Sequence, residues 1–232
     1  MRTLMTSRPR TLRMSAGTAD ERLSLGLDPL DDHLGGGPRP GTLVSLTAPP
    51  ASQAGTLFYA LMRQRPTLYV TTLRREDAVR DELEHVLDDD VEYTIRSVGK
   101  KNPLRNVNRA IEAADESGTA GRKRNIVIDT MNPLERTGKH DRYIDLLNAI
   151  KSYLLEAGGV AMCLCTELER QPTLRDVTLT ISDLVLDLGV VADKSTVENH
   201  LIVPKFRSRD VVEEVIKLKL GREALVDTSR NL

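Results

Sequence analysis

The amino-acid sequence predicts an α/β domain: a mostly parallel central sheet with helices on both faces, and an antiparallel extension at its C-terminal end. Three observations carry this. Between Thr42 and Thr166, short β-branched apolar runs alternate with helix-period segments, the rhythm of strand–helix–strand units. The apolar runs are continuous, as expected of strands buried on both faces. After Ser182 the rhythm changes, and four strand-like runs follow one another across short polar turns.

Leu25–Leu34 suits a short helix, closed by Gly35-Gly36-Gly37 and the turn Pro38-Arg39-Pro40-Gly41. Thr42–Thr47 reads as a buried strand, Gly55–Arg63 as a helix and Thr67–Thr72 as a second strand. Glu76–Leu87 follows as an amphipathic helix, with Val79, Leu83, Val86 and Leu87 on one face. Val91–Val98 is a third strand, and Asn102-Pro103 opens a helix that runs through Glu116. Asn125–Asp129 and Val160–Thr166 are further buried strands, separated by a long helix His140–Ala157 that stops at Gly158-Gly159. Leu184–Val191, Val197–Phe206, Glu213–Leu220 and Ala224–Asp227 make the antiparallel part, with turns at 192–195 and at Gly221-Arg222. Residues 1–22 read as a disordered basic tail and 23–230 as a single domain; a transit peptide or a start at Met14 are other readings of the tail.

Composition narrows the function classes. The chain has 232 residues, 40% apolar, with 33 basic and 34 acidic side chains. That balance advertises neither a nucleic-acid nor a membrane partner, so any basic surface must be local. No apolar run approaches the roughly 20 residues of a membrane span. Cys163 and Cys165 alternate within an apolar strand and read as reduced core thiols, which fits a cytoplasmic protein. The four histidines are scattered, and none pairs at metal-ligand spacing. No nucleophile elbow and no G-x-G-x-x-G run after a strand is present.

The order of motifs is more specific. Leu25-Gly26-Leu27-Asp28-Pro29-Leu30, Leu34-Gly35-Gly36-Gly37 and Pro40-Gly41-Thr42-Leu43-Val44 together resemble the opening of RecA-superfamily ATPases of the KaiC and RadA type. Asn125-Ile126-Val127-Ile128-Asp129 is similar to that family's second nucleotide motif, an apolar strand ending in aspartate. The closing hairpins, with Pro204-Lys205-Phe206-Arg207-Ser208, resemble its C-terminal region, and the tail after Lys217 looks like that of archaeal members. The resemblance spans about residues 23–230 and implies a RecA-like P-loop fold. Taken alone, the glycine run is also a helix stop, and Asp129 is also a helix N-cap.

A phosphate loop of this kind follows G-x-x-x-x-G-K-[ST]: glycines let amides close around phosphate, the lysine meets the β/γ charge, and the hydroxyl ligates Mg²⁺. Here Ala48 stands at the first glycine, Gln53 at the second, Ala54 at the lysine and Gly55 at the hydroxyl, with Thr56 one residue late. Losing the cation removes a few kcal/mol of charge pairing in a partly desolvated site. The helix N-terminus remains as a weak anion attractor. The resemblance also implies a water-activating glutamate after the second strand, but Leu73 or Arg74 occupies that place and Glu76 lies beyond it. The candidate nucleotide site is thus Ala48, Ser52, Gln53, Ala54, Gly55, Thr56 and Asp129, with ATP and Mg²⁺ weakened as cofactors and hydrolysis not expected.

Two further surfaces are candidates. Lys205 and Arg207 share one strand face, and the resemblance implies that they reach the γ-phosphate bound by a neighbouring subunit, a finger supplied in trans. A charged strand edge that deters aggregation is the alternative. Arg96, Lys100, Lys101, Arg105 and Arg109 cluster at a strand–helix junction as a candidate nucleic-acid surface. With 3% aromatics and none among them, base stacking has little support, and a solvated face of mixed charge is the alternative. The sequence therefore points to a non-catalytic or regulatory RecA/KaiC-like protein. It would act through homo- or hetero-oligomeric contacts with an active paralogue, or with DNA, in recombination and repair or in signalling. The alternative is a divergent ATP-binding, DNA-dependent ATPase that holds phosphates through Ser52, Thr56 and backbone amides in an altered register.

Overall fold

A computed structural model describes residues 21–116, 123–192, 197–207, 212–221 and 223–226. The expected basic tail through residue 20, most of the turn at 192–195, Ser208, Arg222 and the last six residues lie outside the described residues. The chain builds α1 (Asp28–His33), β1 (Leu43–Ala48), α2 (Gly55–Met62), β2 (Thr67–Thr71), α3 (Glu76–Val86), β3 (Tyr93–Ser97) and α4 (Pro103–Glu116). It continues through β4 (Asn125–Asp129), α5 (Asn132–Glu135), α6 (His140–Ala157), β5 (Ala161–Thr166) and α7 (Arg175–Ile181). The closing strands are β6 (Leu184–Ala192), β7 (Val197–Phe206), β8 (Val212–Leu220) and β9 (Ala224–Val226).

Among the described residues the strands form one sheet of nine, in the order β3-β2-β4-β5-β1-β6-β7-β8-β9. From β3 to β6 every pairing is parallel, and from β6 to β9 every pairing is antiparallel. The first of the four late runs, β6, joins the two parts: it begins the antiparallel extension by pairing with β7 and also lies parallel to β1, with Val44 opposite Leu184. The crossover that makes this possible is α7. Its buried residues are Arg175 and Thr178, so it lacks the apolar period by which a helix is recognised in sequence.

Pleat alternation sorts the strand side chains into two cores. Val44, Leu46, Tyr69, Val127 and Met162 pack with residues 23–34, α2 and α3 on one face. Leu43, Leu68, Val70, Ile126, Ile128, Cys163 and Cys165 pack with α4, α5 and α6 on the other. Both cysteines are free and fully buried, and burial pushes the Cys165 thiol up to about 12.

The segment before β1 is organised by a buried Asp31, which accepts from the Ser24 hydroxyl at 2.6 Å and from the Leu25 amide at 2.8 Å. Two glycines are required there. A Cβ at Gly26 would stand 2.3 Å from the Ala60 carbonyl oxygen, and one at Gly37 would stand 2.2 Å from that of Leu23. Both also have positive φ, so the glycine-rich opening reflects close backbone packing as well as turning. At the far end of α6, Gly158 adopts the left-handed conformation that stops the helix.

Candidate functional site

The loop after β1, residues 49–54, runs from the C-terminal end of a central strand into α2. It borders a cavity of about 420 Å³ at the C-terminal edge of the sheet. Crevices outside strand C-termini are where open α/β sheets bind ligands. The structure brings Ser52, Gln53, Ala54, Gly55, Thr56 and Asp129 together around it, joined by Tyr59, Tyr69, Arg74, Glu82, Thr166 and Gly221. Ala48, the last residue of β1, is buried behind the loop.

Gln53, in the middle of this loop, has a φ of +34°. The loop thus keeps a left-handed turn that glycine adopts with less strain. Several of its polar groups are already committed. Both the amide and the hydroxyl of Ser52 donate to the Pro49 carbonyl, the hydroxyl at 2.7 Å. The Thr56 amide donates to Gln53 O, and its hydroxyl donates to Gly221 O at 3.2 Å. Gly221 sits between β8 and β9, so the C-terminal hairpin reaches back to the start of α2.

Asp129 ends β4 on the same sheet face as Tyr69, because Thr71 is its register partner and Tyr69 lies opposite Val127. The Tyr69 hydroxyl donates to Asp129 Oδ2 at 2.8 Å. Burial raises the Asp129 pKa above the ordinary carboxylate range, although the Tyr69 hydrogen bond and the Arg74 charge pull it down. Tyr69 itself is pushed upward, first by burial and then by the Asp129 charge.

The cavity contains a cation, Arg74, that the sequence reading did not assign to the site. Arg74, after β2, enters it and pairs with Glu82 of α3; Glu82 also accepts the Tyr59 hydroxyl. Burial opposes the Glu82 carboxylate, but the Arg74 and Tyr59 hydrogen bonds overcome it, and its pKa falls below the usual value. Tyr59 reaches back along α2, its hydroxyl oxygen 3.2 Å from where a Cβ on Gly55 would stand, as helical side chains leaning toward the N-terminus do. Glu76 does not enter the site; its carboxylate accepts the Ser97 amide at 2.7 Å. Leu73 is exposed. Tyr59, Tyr69 and Glu82 were missed, Arg74 was met only as a possible occupant of the glutamate's place, and no spacing in the sequence marks the four as partners.

Lys205 and Arg207 lie elsewhere, against the end of α7. Lys205 Nζ donates to the carbonyls of Leu179 at 2.7 Å and Thr180 at 2.9 Å, and Arg207 donates to Thr180 at 2.8 Å. They cover carbonyls that the helix leaves unsatisfied, where cations also suit the dipole. Desolvation, then the Arg207 charge, lowers the Lys205 pKa.

The nucleic-acid candidates are spread along one edge. Arg96 is on edge strand β3, Lys100 and Lys101 are in the following loop, and Arg105 and Arg109 are on α4; all five are exposed. No cluster of His, Cys, Asp or Glu suited to a metal ion occurs among the described residues, and no described helix is long and apolar enough to cross a membrane.

Known structures place this architecture. A KaiC-like protein, PH0186, from the hyperthermophilic archaeon Pyrococcus horikoshii OT3 superposes with a TM-score of 0.67 at 18% identity, covering 89% of this chain and 98% of that one. The likeness shows a KaiC-like, RecA-type fold, in agreement with the mixed sheet described above. No curated protein matches the sequence. A family model does match, over residues 22–232, and the chain belongs to that family, a family of unknown function, DUF7125.

Proposed function

We propose that this protein is a non-hydrolysing member of the RecA/KaiC-like class, a regulatory subunit that works through contacts with an active paralogue. One observation carries the reading: Ala54 stands where a triphosphate site needs a cation, and the cavity's own cation, Arg74, is held by Glu82. The place where the resemblance expects a water-activating carboxylate falls on Leu73 or Arg74, so the chain supplies no base there. The Mg²⁺ environment is depleted in the same way. The Thr56 hydroxyl donates its proton to Gly221 O, and Asp129 Oδ2 accepts the Tyr69 hydroxyl, so any metal ion would have to share both groups with these partners. A divergent ATPase using Ser52 and Thr56 in another register would first have to break both hydroxyl contacts.

Binding without hydrolysis has separate support. No hydrogen bond joins the amides of Gln53, Ala54 and Gly55 to another described residue, and amides at a helix start attract anions. In this role Lys205 and Arg207 would be lent to a neighbour's phosphate only by leaving the carbonyls of α7.

The test is titration of the purified chain with a labelled ATP analogue and Mg²⁺, alone and beside an active RecA/KaiC-like partner, with phosphate release followed in parallel. The expected result is no turnover above that of Asp129→Ala. Stimulation of the partner should disappear in Lys205→Ala/Arg207→Ala. Mg²⁺-dependent turnover that requires Asp129 would refute the proposal.

A further inference from the structure

A second cavity, of about 370 Å³, opens at the same edge of the sheet but on the opposite face, where the first turns of α4 and α6 converge. Arg105 contributes a guanidinium from α4, Arg142 contributes one from α6, and Lys139 adds an ammonium from the residue just before α6. One carboxylate, Asp145, lies among them. None of the three cations makes an ion pair or side-chain hydrogen bond with another described residue. This is unlike Arg74, Lys151, Arg175 and Lys217, each of which has an acidic partner. The same cleft has an unused acceptor, Asn108 Oδ1, buried without a hydrogen-bond partner, which suits a sugar hydroxyl and not a phosphate oxygen. Its Thr137 hydroxyl is committed to Leu134 O at 2.9 Å.

We infer that this α4–α6 cleft binds phosphate groups. Two helical guanidiniums and the Lys139 ammonium, none paired with another described residue, make a concave site that favours a polyvalent anion over chloride, since guanidinium forks match phosphate oxygens geometrically. Both helices also present their N-terminal turns, which add partial positive charge at the same point. The volume falls within the range of small-ligand pockets and admits a phosphate with its attached sugar. Arg109, one turn after Arg105, together with Lys100 and Lys101, extends the positive surface out of the cleft. A phosphodiester chain entering the cleft would therefore meet further cations, whereas a mononucleotide would use the cleft alone. The inference is independent of the pocket beside Asp129 and stands if that pocket proves catalytic.

Two probes separate the sources of phosphate: fluorescein-labelled single-stranded (dT)20 and AMP, each titrated into the full chain at several salt concentrations. Two variants accompany the wild type. Arg105→Gln/Arg142→Gln removes cleft cations, and Arg39→Gln/Arg80→Gln removes the same charge from exposed positions at the other edge of the sheet. The substituted side chains are all exposed, so folding should persist, and circular dichroism checks it. The expected result is binding of at least one probe that weakens about tenfold or more in the cleft variant, as loss of charge-assisted contacts implies, and changes little in the control. Tighter binding of (dT)20 with a steep salt dependence identifies a polynucleotide backbone; comparable binding of AMP identifies a small phosphorylated ligand. No binding of either probe, or equal weakening in both variants, overturns the inference.

Discussion

The Tyr69 hydroxyl holds Asp129 Oδ2 at 2.8 Å, tying the middle of β2 to the end of β4 inside the candidate nucleotide pocket. The contact engages the acidic side chain that a RecA-type site would offer to a metal ion. It does so within a larger set of residues that also includes Tyr59, Arg74 and Glu82.

The Asp129 pKa is raised by burial, so the folded protein binds this proton more tightly than the unfolded chain does. The ionised carboxylate therefore costs stability above its folded pKa, and the cost vanishes below the ordinary carboxylate range. Asp129→Asn should melt higher than wild type at pH 7–8. Its advantage should shrink as pH falls through the folded pKa. Thermal melts across pH 3–8 check this, and an advantage that grows toward acid would contradict it.

Glu82 neutralises Arg74. Replacing it by Gln keeps the shape and releases the guanidinium to the cavity. Affinity for an ATP analogue should rise about tenfold, the effect of one unmasked charge-assisted contact. Adding Arg74→Ala should cancel the gain. Isothermal titration decides the matter, and unchanged affinity in Glu82→Gln would show that Arg74 does not face a bound phosphate.

Lys205 and Arg207 cover the last carbonyls of α7. The double alanine variant should lose about 1–2 kcal/mol of unfolding free energy, the worth of exposed hydrogen bonds and a favourable dipole contact. Urea denaturation measures it. Undiminished stability would mean that these contacts contribute nothing to the isolated fold.

Arg175 and Glu135 form a buried pair, with Arg175 Nε 2.9 Å from Glu135 Oε1. The Thr178 hydroxyl also donates to that oxygen at 2.6 Å, and Tyr143 meets Thr178 at 2.6 Å. Arg175→Met strands a fully buried carboxylate and should cost about 3–5 kcal/mol. Arg175→Met/Glu135→Gln should recover part of the loss, because the uncompensated charge is then gone. Chemical denaturation of the two variants provides the comparison.

Much of the fold was legible because its signals are local. Continuous apolar runs gave β1, β2, β4 and β5. The period of Val79, Leu83 and Val86 gave α3, and Gly158 marked the end of α6 to the residue. Where burial is polar, that signal fails: α7 buries Arg175 and Thr178, so neither the helix nor the parallel placement of β6 was visible.

The same division runs through the site. Sequence alone determined that the strand-to-helix loop from Ala48 to Thr56 contains no lysine and that an apolar strand ends in Asp129, because both are statements about neighbours along the chain. Only the tertiary structure decided that Arg74, Glu82, Tyr59 and Tyr69 enter the same cavity, that the Thr56 hydroxyl donates to Gly221, and that Arg105, Lys139 and Arg142 line one cleft. Those relationships arise from parallel strands brought side by side out of chain order. Electrostatic partnership depends on distance in space, which no spacing along the chain encodes.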